Sequence, residues 1–216
     1  MPNDRPVSNG GGGAPATRTG ARIAPTQRRS RERMERILTT ASELIGAEGS
    51  DQMKMSEIAE RCGISIGSLY QYFPDKRSII AALAERYHAA SRACIGEKLA
   101  GVSTLEEMRS AFGELIDIYY GLFLDEPVMR DVWSGMQADK VLMEIDLLNS
   151  RENAELIAST WSRLAPGRDE NALRSTAFLI MSLGEAAMRM AISVEPAEAR
   201  LLVETYKRMA LSEIRG

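Results

Sequence analysis

The residues between positions 65 and 76 combine hydroxyl, amide, aromatic and ammonium groups in a short stretch. The groups able to form hydrogen bonds belong to Ser65, Ser68, Tyr70, Gln71, Tyr72 and Lys76. No acidic residue lies between Ile66 and Tyr72, so nothing in that run repels a phosphate. Side chains of these types, together with backbone N–H groups, hydrogen-bond phosphate oxygens and the edges of bases. The chemistry indicated is non-covalent recognition of a nucleic acid.

Two short helices joined by a tight turn are predicted to position these side chains. Ile58, Ala59 and Cys62 recur at helical spacing and predict one buried stripe. Gly63 follows, where the C-terminus of a helix favours a residue that tolerates positive φ. Ser65 suits the N-cap of the second helix, because its hydroxyl can accept a hydrogen bond from the next turn. The spacing therefore predicts a helix, a glycine turn and a second helix.

Leu69 and Phe73 are four residues apart and predict the side by which the second helix is anchored. Pro74 ends that helix, and Asp75 can cap the next one. Such a pair is the helix-turn-helix unit, whose second helix enters the major groove of DNA. An alternative from the same pattern is a corner between two helices of an all-helical core, with the tyrosines half-buried.

This stretch resembles the DNA-binding domain of TetR-family transcriptional regulators. The matching residues are Ile58-Ala59, Cys62-Gly63-Ile64-Ser65, Gly67-Ser68-Leu69-Tyr70-Gln71-Tyr72-Phe73-Pro74 and Lys76. Two positions depart from the family's usual pattern, since Cys62 replaces an alanine and Ile66 fills a variable recognition position where a polar residue is common. An isoleucine there would read DNA through apolar contact, for example with a thymine methyl group.

The resemblance implies which residues contact DNA. They are Ser56, Ser65, Ile66, Gly67, Ser68, Tyr70, Gln71, Tyr72 and Lys76. Tyr72 and Lys76 match positions that touch the DNA backbone, whereas Ile66, Gly67 and Tyr70 lie nearest the base edges. It also implies that the helix starting at Lys76 joins the DNA-binding head to a ligand-binding body. Lys76 lies at the unfavourable end of that helix's dipole, which a facing phosphate would explain.

The composition is that of an ordinary globular protein, with 44% hydrophobic and 26% charged residues among 216. Residues 1–78 carry 12 Lys and Arg against 9 Asp and Glu, whereas the whole chain has a net charge of −3. A basic N-terminal part on an acidic remainder is typical of a DNA-binding head. No apolar run approaches the ~20 residues of a membrane span, and the N-terminus lacks the apolar segment of a signal peptide. The expected location is the cytoplasm.

No metal site, cofactor or catalytic residue is expected. Cys62 and Cys94 lie far apart in helical patterns and are interpreted as buried thiols of a reducing compartment. His88 is the only histidine, which leaves no Cys/His cluster for zinc and no identifiable partner for a catalytic triad. The chain also lacks a phosphate-binding loop and a dinucleotide fingerprint. An enzyme is therefore a distant alternative.

The predicted fold class is all-α, with an N-terminal three-helix helix-turn-helix domain and a C-terminal helical bundle. Residues 1–26 are expected to be a disordered basic tail, 27–78 the DNA-binding domain and 79–216 an effector-binding and dimerisation domain. Arg18 and Arg22 of the tail could reach DNA. The predicted helices outside the helix-turn-helix unit are approximately 30–48, 76–99, 104–124, 127–138, 140–164, 169–192 and 196–214.

Aromatic and methionine residues of the body are candidates to line a cavity, whose existence the family resemblance implies. The candidates are Tyr87, Phe112, Tyr119, Trp133 and Met136. Residues at this spacing can equally form solid core. Because few charges fall at core positions, we expect an apolar or amphipathic small-molecule effector rather than a sugar phosphate or nucleotide.

The last two helices are expected to form a homodimer. Small residues, including Gly184 and Ala187, predict a face of the helix near 169–192 that a partner helix can approach closely. The family resemblance implies a sequence-specific regulator of transcription that binds a double-stranded DNA operator, usually as a repressor released by a small molecule. The alternative is a helical ligand-binding or scaffold protein without operator binding.

Overall fold

The computed structural model describes residues 20–215, with side chains from residue 27 onward. Within this range every regular element is an α-helix. The helices are α1 (Gly20–Glu48), α2 (Met55–Arg61), α3 (Ile66–Tyr72), α4 (Lys76–Leu99), α5 (Leu105–Asp125), α6 (Pro127–Gln137), α7 (Lys140–Leu164), α8 (Glu170–Ala191) and α9 (Pro196–Glu213). The all-α fold class is confirmed. No helix among the described residues is long and apolar enough to span a membrane.

Helix α1 begins at Gly20, earlier than the start predicted near residue 30. The backbone of residues 20–26 is thus helical, where the sequence predicted disorder. Alanines are the strongest helix formers, and Ala21 and Ala24 in this segment favour a helix despite Pro25. Residues 1–19, with Arg18, lie outside the described part. The division of the chain at residues 26 and 78 stays a prediction.

Contacts within the chain divide it into two compact units, residues 1–36 and residues 37–216. In the described part of the first unit, exposed Arg28 and Glu32 form an ion pair of 3.5 Å along one helix face. The second unit contains a continuous hydrophobic core that includes residues of α1 to α9. Its largest fully buried side chains include Ile37, Leu44, Ile58, Leu69, Ile79, Met108, Phe123, Trp161, Leu173 and Met188. The predicted apolar stripes of these helices therefore face inward.

Capping side chains begin the body helices at the predicted positions. Thr104 Oγ1 accepts a hydrogen bond from the Glu107 backbone N–H at 3.1 Å and starts α5. Asp139 Oδ1 accepts one from Val141 at 2.9 Å and starts α7. Prolines at the first positions of α6 and α9 suit those helix starts, because a proline there forfeits no helical hydrogen bond. Local side-chain chemistry thus explains these boundaries.

Gly184 and Ala187 of α8 pack inside the chain, so their prediction as contacts between two copies is wrong, whereas a dimer formed through other residues of α8 and α9 stays a prediction. Gly184 is buried, and Ala187 is only 6% exposed. Tyr206 of α9 lies over this side of α8 and its hydroxyl donates to the carbonyl of Ile180 at 2.8 Å. A Cβ atom added at Gly184 would lie 2.8 Å from that hydroxyl. The glycine is therefore needed for the packing of α9 on α8 within one chain.

Candidate nucleic-acid interface and ligand cavity

The turn between α2 and α3 has the hydrogen bonds of a glycine-terminated helix. Gly63 has φ of 62°, in the left-handed region that glycine adopts without steric cost. Its N–H donates to Glu60 O at 2.9 Å, and the Ile64 N–H donates to Ala59 O at 3.0 Å. This pair of bonds defines the Schellman motif, which satisfies carbonyls left open at a helix end. The turn is therefore the one predicted from the sequence.

Ser65 caps the second helix of the unit as predicted. Its Oγ accepts a hydrogen bond from the Ser68 backbone N–H at 3.1 Å and donates to Ser68 Oγ at 2.9 Å. Leu69, one turn along, is fully buried and anchors α3. The opposite side of α3 is open, with Ile66 42% and Tyr70 47% exposed. A short helix held on one side by a buried leucine thus presents an apolar and a phenolic side chain to solvent.

The remaining candidate DNA contacts lie near this open side. Ser56, Ser65, Gly67 and Gln71 are exposed, whereas Ser68, Tyr72 and Lys76 are half-buried. Tyr72 packs partly against the hydrophobic core. The structure brings the α3 residues together on one helix, while Ser56 lies in the first turn of α2. Their contacts with DNA stay a prediction.

Lys76 has a partner within the protein that the sequence did not reveal. Its Nζ donates to the backbone carbonyl of Asp51 at 2.9 Å, which ties the start of α4 to the loop before α2. This bond explains a cation at the N-terminus of a helix without a phosphate. An ammonium group has three donors, so two remain for other acceptors. Lys76 can therefore serve both the fold and a phosphate contact.

Residues of α4 to α9 line a cavity of about 450 Å³ in the body. This volume lies in the range of small-molecule sites. Four of the predicted residues line it: Tyr87, Phe112, Tyr119 and Trp133. Met136, the fifth, does not line it and is fully buried in the core one turn beyond Trp133. Placing Met136 in the cavity was wrong, because neighbouring turns of α6 face different parts of the interior.

Aromatic rings and aliphatic side chains form most of the cavity wall. Trp133 lies against Tyr87 with ring centroids 5.7 Å apart, and against His88 at 5.2 Å. Further wall residues are Ile95, Leu115, Ile116, Ile118, Met129, Met181 and Met188. A wall of this kind favours an apolar ligand body, and methionines adapt to its shape.

One region of the cavity wall is polar and acidic. Glu185 lines it and accepts a hydrogen bond from Ser150 Oγ at 3.0 Å. Burial, followed by the nearby Asp146 carboxylate, raises the pKa of Glu185 to about 7. Burial, with the charges of Glu185 and Asp146, also raises the pKa of Tyr119 well above its usual value. The His88 Nε2 atom lies 3.2 Å from Asp146 Oδ1.

The sequence interpretation missed this polar group. Asp146, Asn149, Ser150 and Asn153 are buried and follow one another at helical spacing on α7. They interrupt a face of α7 that is otherwise apolar. A polar interruption in an apolar stripe was the available signal, since buried polar groups need partners or a function. His88 and Glu185 carried no such signal, because only the packing of α4 and α8 on α7 brings them to it.

Helix α6 contacts both the cavity and the helix-turn-helix head. Met129 and Trp133 line the cavity from α6. Asp131 on the same helix accepts a hydrogen bond from the backbone N–H of Ser50, in the loop after α1, at 2.8 Å. Ser50 is only 5% exposed. A displacement of α6 by a cavity ligand would therefore act directly on the loop that precedes α2.

A helix-turn-helix unit with an open recognition helix, carried on a helical body with an internal cavity, defines a DNA-binding regulator of transcription. Comparison with protein families agrees. Residues 37–83 match the bacterial regulatory proteins of the tetR family, and residues 106–214 match the tetracyclin repressor-like C-terminal domain. The protein belongs to the TetR family.

Individual relatives have the same family character. An uncharacterized HTH-type transcriptional regulator in the dhlA 5′ region of Xanthobacter autotrophicus is 25% identical over 84% of this chain and 90% of its own length. The HTH-type transcriptional repressor KstR of Mycolicibacterium smegmatis is 29% identical over 39% of this chain and 42% of its own length. These similarities support the family assignment along the chain.

Solved structures share the fold. A putative transcriptional regulator from Saccharomonospora viridis in complex with choline has a TM-score of 0.62 and 21% identity, over 85% of this chain and 96% of its own. RolR in complex with resorcinol has a TM-score of 0.59 and 22% identity, over 85% of this chain and 89% of its own. At such identities the comparison concerns the fold alone.

Proposed function

We propose that this regulator is a repressor that binds its operator as a homodimer and is released by a small molecule bound in the body cavity. The observation that carries the proposal is the position of α6, which lines the cavity through Trp133 and holds the head through Asp131. An effector that binds preferentially to the protein with its heads placed unsuitably for DNA lowers the operator affinity by some factor. By thermodynamic linkage, operator DNA lowers the effector affinity by the same factor. Relatives named as repressors or solved with bound small molecules support this proposal.

The DNA contacts divide into two groups in this proposal. Tyr72 and Lys76, half-buried at the end of α3 and the start of α4, contact phosphates. Ile66, Gly67 and Tyr70, exposed on α3, lie at base edges, with Ser68 and Gln71 beside them. Phosphate contacts position a protein on DNA, whereas base contacts confer sequence preference. The two groups are therefore separable by experiment.

Lys76→Ala should weaken binding to all DNA sequences about equally and lower the salt slope of the binding constant by about one unit per head, because one phosphate contact is lost. Tyr72→Phe should weaken binding uniformly by removing one hydroxyl. Gel-shift titrations on operator and on unrelated DNA at several salt concentrations measure both effects. Lys76→Arg is the control, since it keeps a cation that can donate to Asp51 O. A changed sequence preference at an unchanged slope would contradict the phosphate assignment.

Two copies are proposed to meet through the outward faces of α8 and α9. Leu179, Leu183 and Met190 on α8 are 57%, 46% and 53% exposed. Leu201 and Met209 on α9 are 70% and 57% exposed. Large apolar side chains in rows on adjacent helices are typical of interaction surfaces. A twofold dimer also presents two recognition helices to the two halves of a symmetric operator.

Asp131→Ala should reduce the effect of an effector on operator binding while leaving effector affinity unchanged. The substitution removes the acceptor for the Ser50 N–H without touching the cavity wall. We expect the coupling factor, typically about 5- to 150-fold, to fall toward one. The measurement compares operator gel shifts with and without a compound selected by thermal shift.

Asp131→Asn is the matched control, because its amide oxygen can still accept the Ser50 bond. If Asp131→Ala and Asp131→Asn both kept the coupling factor of the unchanged protein, the effect of the effector would not be transmitted through this contact. Loss of effector binding in Asp131→Ala would place the residue in the binding machinery instead.

We further infer that the body binds its small molecule rather than transforming it. The Ser150 hydroxyl donates to Glu185 and not to His88, so the polar group does not assemble a histidine-activated nucleophile. Catalytic turnover that is lost in His88→Gln would instead support the alternative that the protein is an enzyme. A gel shift at physiological salt distinguishes a regulator from the alternative, a scaffold without operator binding. A scaffold protein would form no specific complex with DNA in this experiment.

A further inference from the structure

We propose that the cavity binds an amphipathic monocation, an amine with an aromatic or aliphatic body whose ammonium group lies at Glu185. This inference rests on the proposed function, because it assigns the ligand class of the same effector cavity. The sequence alone indicated an apolar or amphipathic compound rather than a sugar phosphate or nucleotide. The three observations that select a cation are the carboxyl groups of the wall, the unpaired Asn153 oxygen and the aromatic rings.

The charged residues of the wall are acidic. Among the residues that line the cavity, Glu185 and Glu126 carry carboxyl groups, and none is a lysine or an arginine. Asp146 on α7 is a third carboxyl group near Glu185 and is only 6% exposed, but its Oδ1 atom lies against His88 at 3.2 Å, and Arg189 is also close to Glu185. A buried charge is stabilised by an opposite charge and destabilised by a like charge. The wall therefore disfavours an anionic ligand and favours a cation.

One buried polar atom in the same region lacks a hydrogen bond. Asn153 lines the cavity and is 4% exposed. Among the described residues its Oδ1 atom has no hydrogen-bond partner, whereas His88 Nε2 faces Asp146 Oδ1 at 3.2 Å. A buried acceptor of this kind costs free energy unless a ligand or water satisfies it. An ammonium group has three donors and can bond to acceptors such as the Asn153 oxygen and the Glu185 carboxylate.

Aromatic rings complete the site. Phe112, Tyr119, Tyr87 and Trp133 all line the cavity. The faces of such rings attract cations, most strongly where water is excluded. The same rings also bury an apolar ligand body. A single wall thus offers a carboxylate for the charge and aromatic surface for the remainder of the molecule.

The charge state of Glu185 is the variable that a cation would change. Its neighbours are Asp146 on α7, which disfavours the carboxylate, and His88 on α4 and Arg189 on α8, which favour it. Tyr119 on α5 and Tyr206 on α9 are kept neutral by raised pKa values. Burial raises the pKa of Glu185 to about 7, so near neutral pH we expect the carboxyl group to be about half protonated before a cation binds. A bound cation lowers this pKa, and binding releases the proton.

The test uses three probes with one body: 4-phenylbutylamine, 4-phenylbutan-1-ol and 4-phenylbutanoate. Calorimetry on the full-length protein without DNA should show the amine binding at least about tenfold more tightly than the alcohol, as expected for a charged hydrogen bond, and the butanoate most weakly. Amine affinity should rise about tenfold from pH 6 to pH 8, because only the ionised Glu185 is competent. At pH 7 binding should release about half a proton, measured in buffers of different ionisation enthalpy.

Glu185→Gln should abolish the pH dependence and the preference for the amine over the alcohol. Its amide oxygen keeps an acceptor for Ser150, and unchanged binding of the alcohol would show that the cavity is intact. Glu144→Gln is the matched control, since Glu144 on α7 is exposed and lies outside the cavity wall, and it should leave amine affinity within about twofold. Tighter binding of the alcohol or the butanoate would overturn the inference, as would an amine preference that survives Glu185→Gln. If the amine binds as expected yet leaves operator affinity unchanged, the ligand class stands and the release mechanism fails.

Discussion

Leu183→Glu should convert the proposed dimer to a monomer and lower operator affinity by at least about 100-fold. Leu183 is 46% exposed in the single chain and lies between Leu179 and Met190 on the outward face of α8. A carboxylate placed there would be buried without a partner when two copies meet, which costs several kcal/mol. Two linked heads gain about 10²- to 10⁴-fold over one head through effective concentration, and this gain disappears in a monomer.

The fold of each chain should survive this substitution, because an exposed position tolerates a charge within about 0.5 kcal/mol. Sedimentation velocity reports the assembly, circular dichroism the fold, and gel shift the operator affinity. Leu148→Glu is the matched control, since Leu148 on α7 is 64% exposed but lies outside the proposed interface. If Leu148→Glu were monomeric while Leu183→Glu remained dimeric, the dimer interface would lie on α7 and the proposed interface would be wrong. Gly184→Glu is unsuitable as a test, because it would strike Tyr206 within the chain.

Ile66→Ala and Tyr70→Ala should change the preferred operator sequence, each at particular base positions. Both side chains project from the open side of α3, with 42% and 47% exposure, and neither supports the core. Loss of one specific base contact costs about 1–3 kcal/mol, and the twofold dimer loses it twice. Affinity for the native operator should therefore fall by about 2–6 kcal/mol, while affinity for unrelated DNA changes little.

Footprinting identifies the operator, and binding to a library of single-base variants gives the preference at each position. Tyr70→Phe is the matched control for the ring, because it removes only the hydroxyl. Lys76→Ala is the contrasting variant, with a uniform loss on every sequence. If Ile66→Ala and Tyr70→Ala also weakened all sequences equally, α3 would hold the DNA backbone rather than read its bases.

Local chemistry made most of the helix-turn-helix unit and the body helices predictable. Gly63, Ser65 and Asp75 act on residues within five positions of themselves, through hydrogen bonds that their type and spacing determine. Prolines and polar caps likewise set the starts of α5 to α9. The exception was the start of α1, where alanines within a glycine- and proline-rich segment extend the helix to Gly20. For the remaining helices, class and approximate length required no knowledge of the fold.

Contacts between distant residues were not predictable in the same way. The bond from Lys76 to the Asp51 carbonyl spans 25 residues, and the Ser50 to Asp131 bond spans 81. Met136 and Trp133 are equally good candidates for a cavity by spacing, yet only Trp133 lines it. The polar region of the cavity combines His88, Asp146 and Glu185 from three helices. No local pattern relates these residues.

The sequence by itself determined that the chain is helical, which side chains share a face of each helix, and that α3 presents hydroxyl and aromatic groups beside a glycine turn. The tertiary structure decided what covers each face. Small residues on α8 permit close packing by any helix, and α9 of the same chain takes that place with Tyr206 against Gly184. Periodicity records which residues are apolar, because that is a property of one helix. Whether an apolar or polar face meets a neighbouring helix, a cavity or a second copy depends on long-range packing, which only the assembled fold contains.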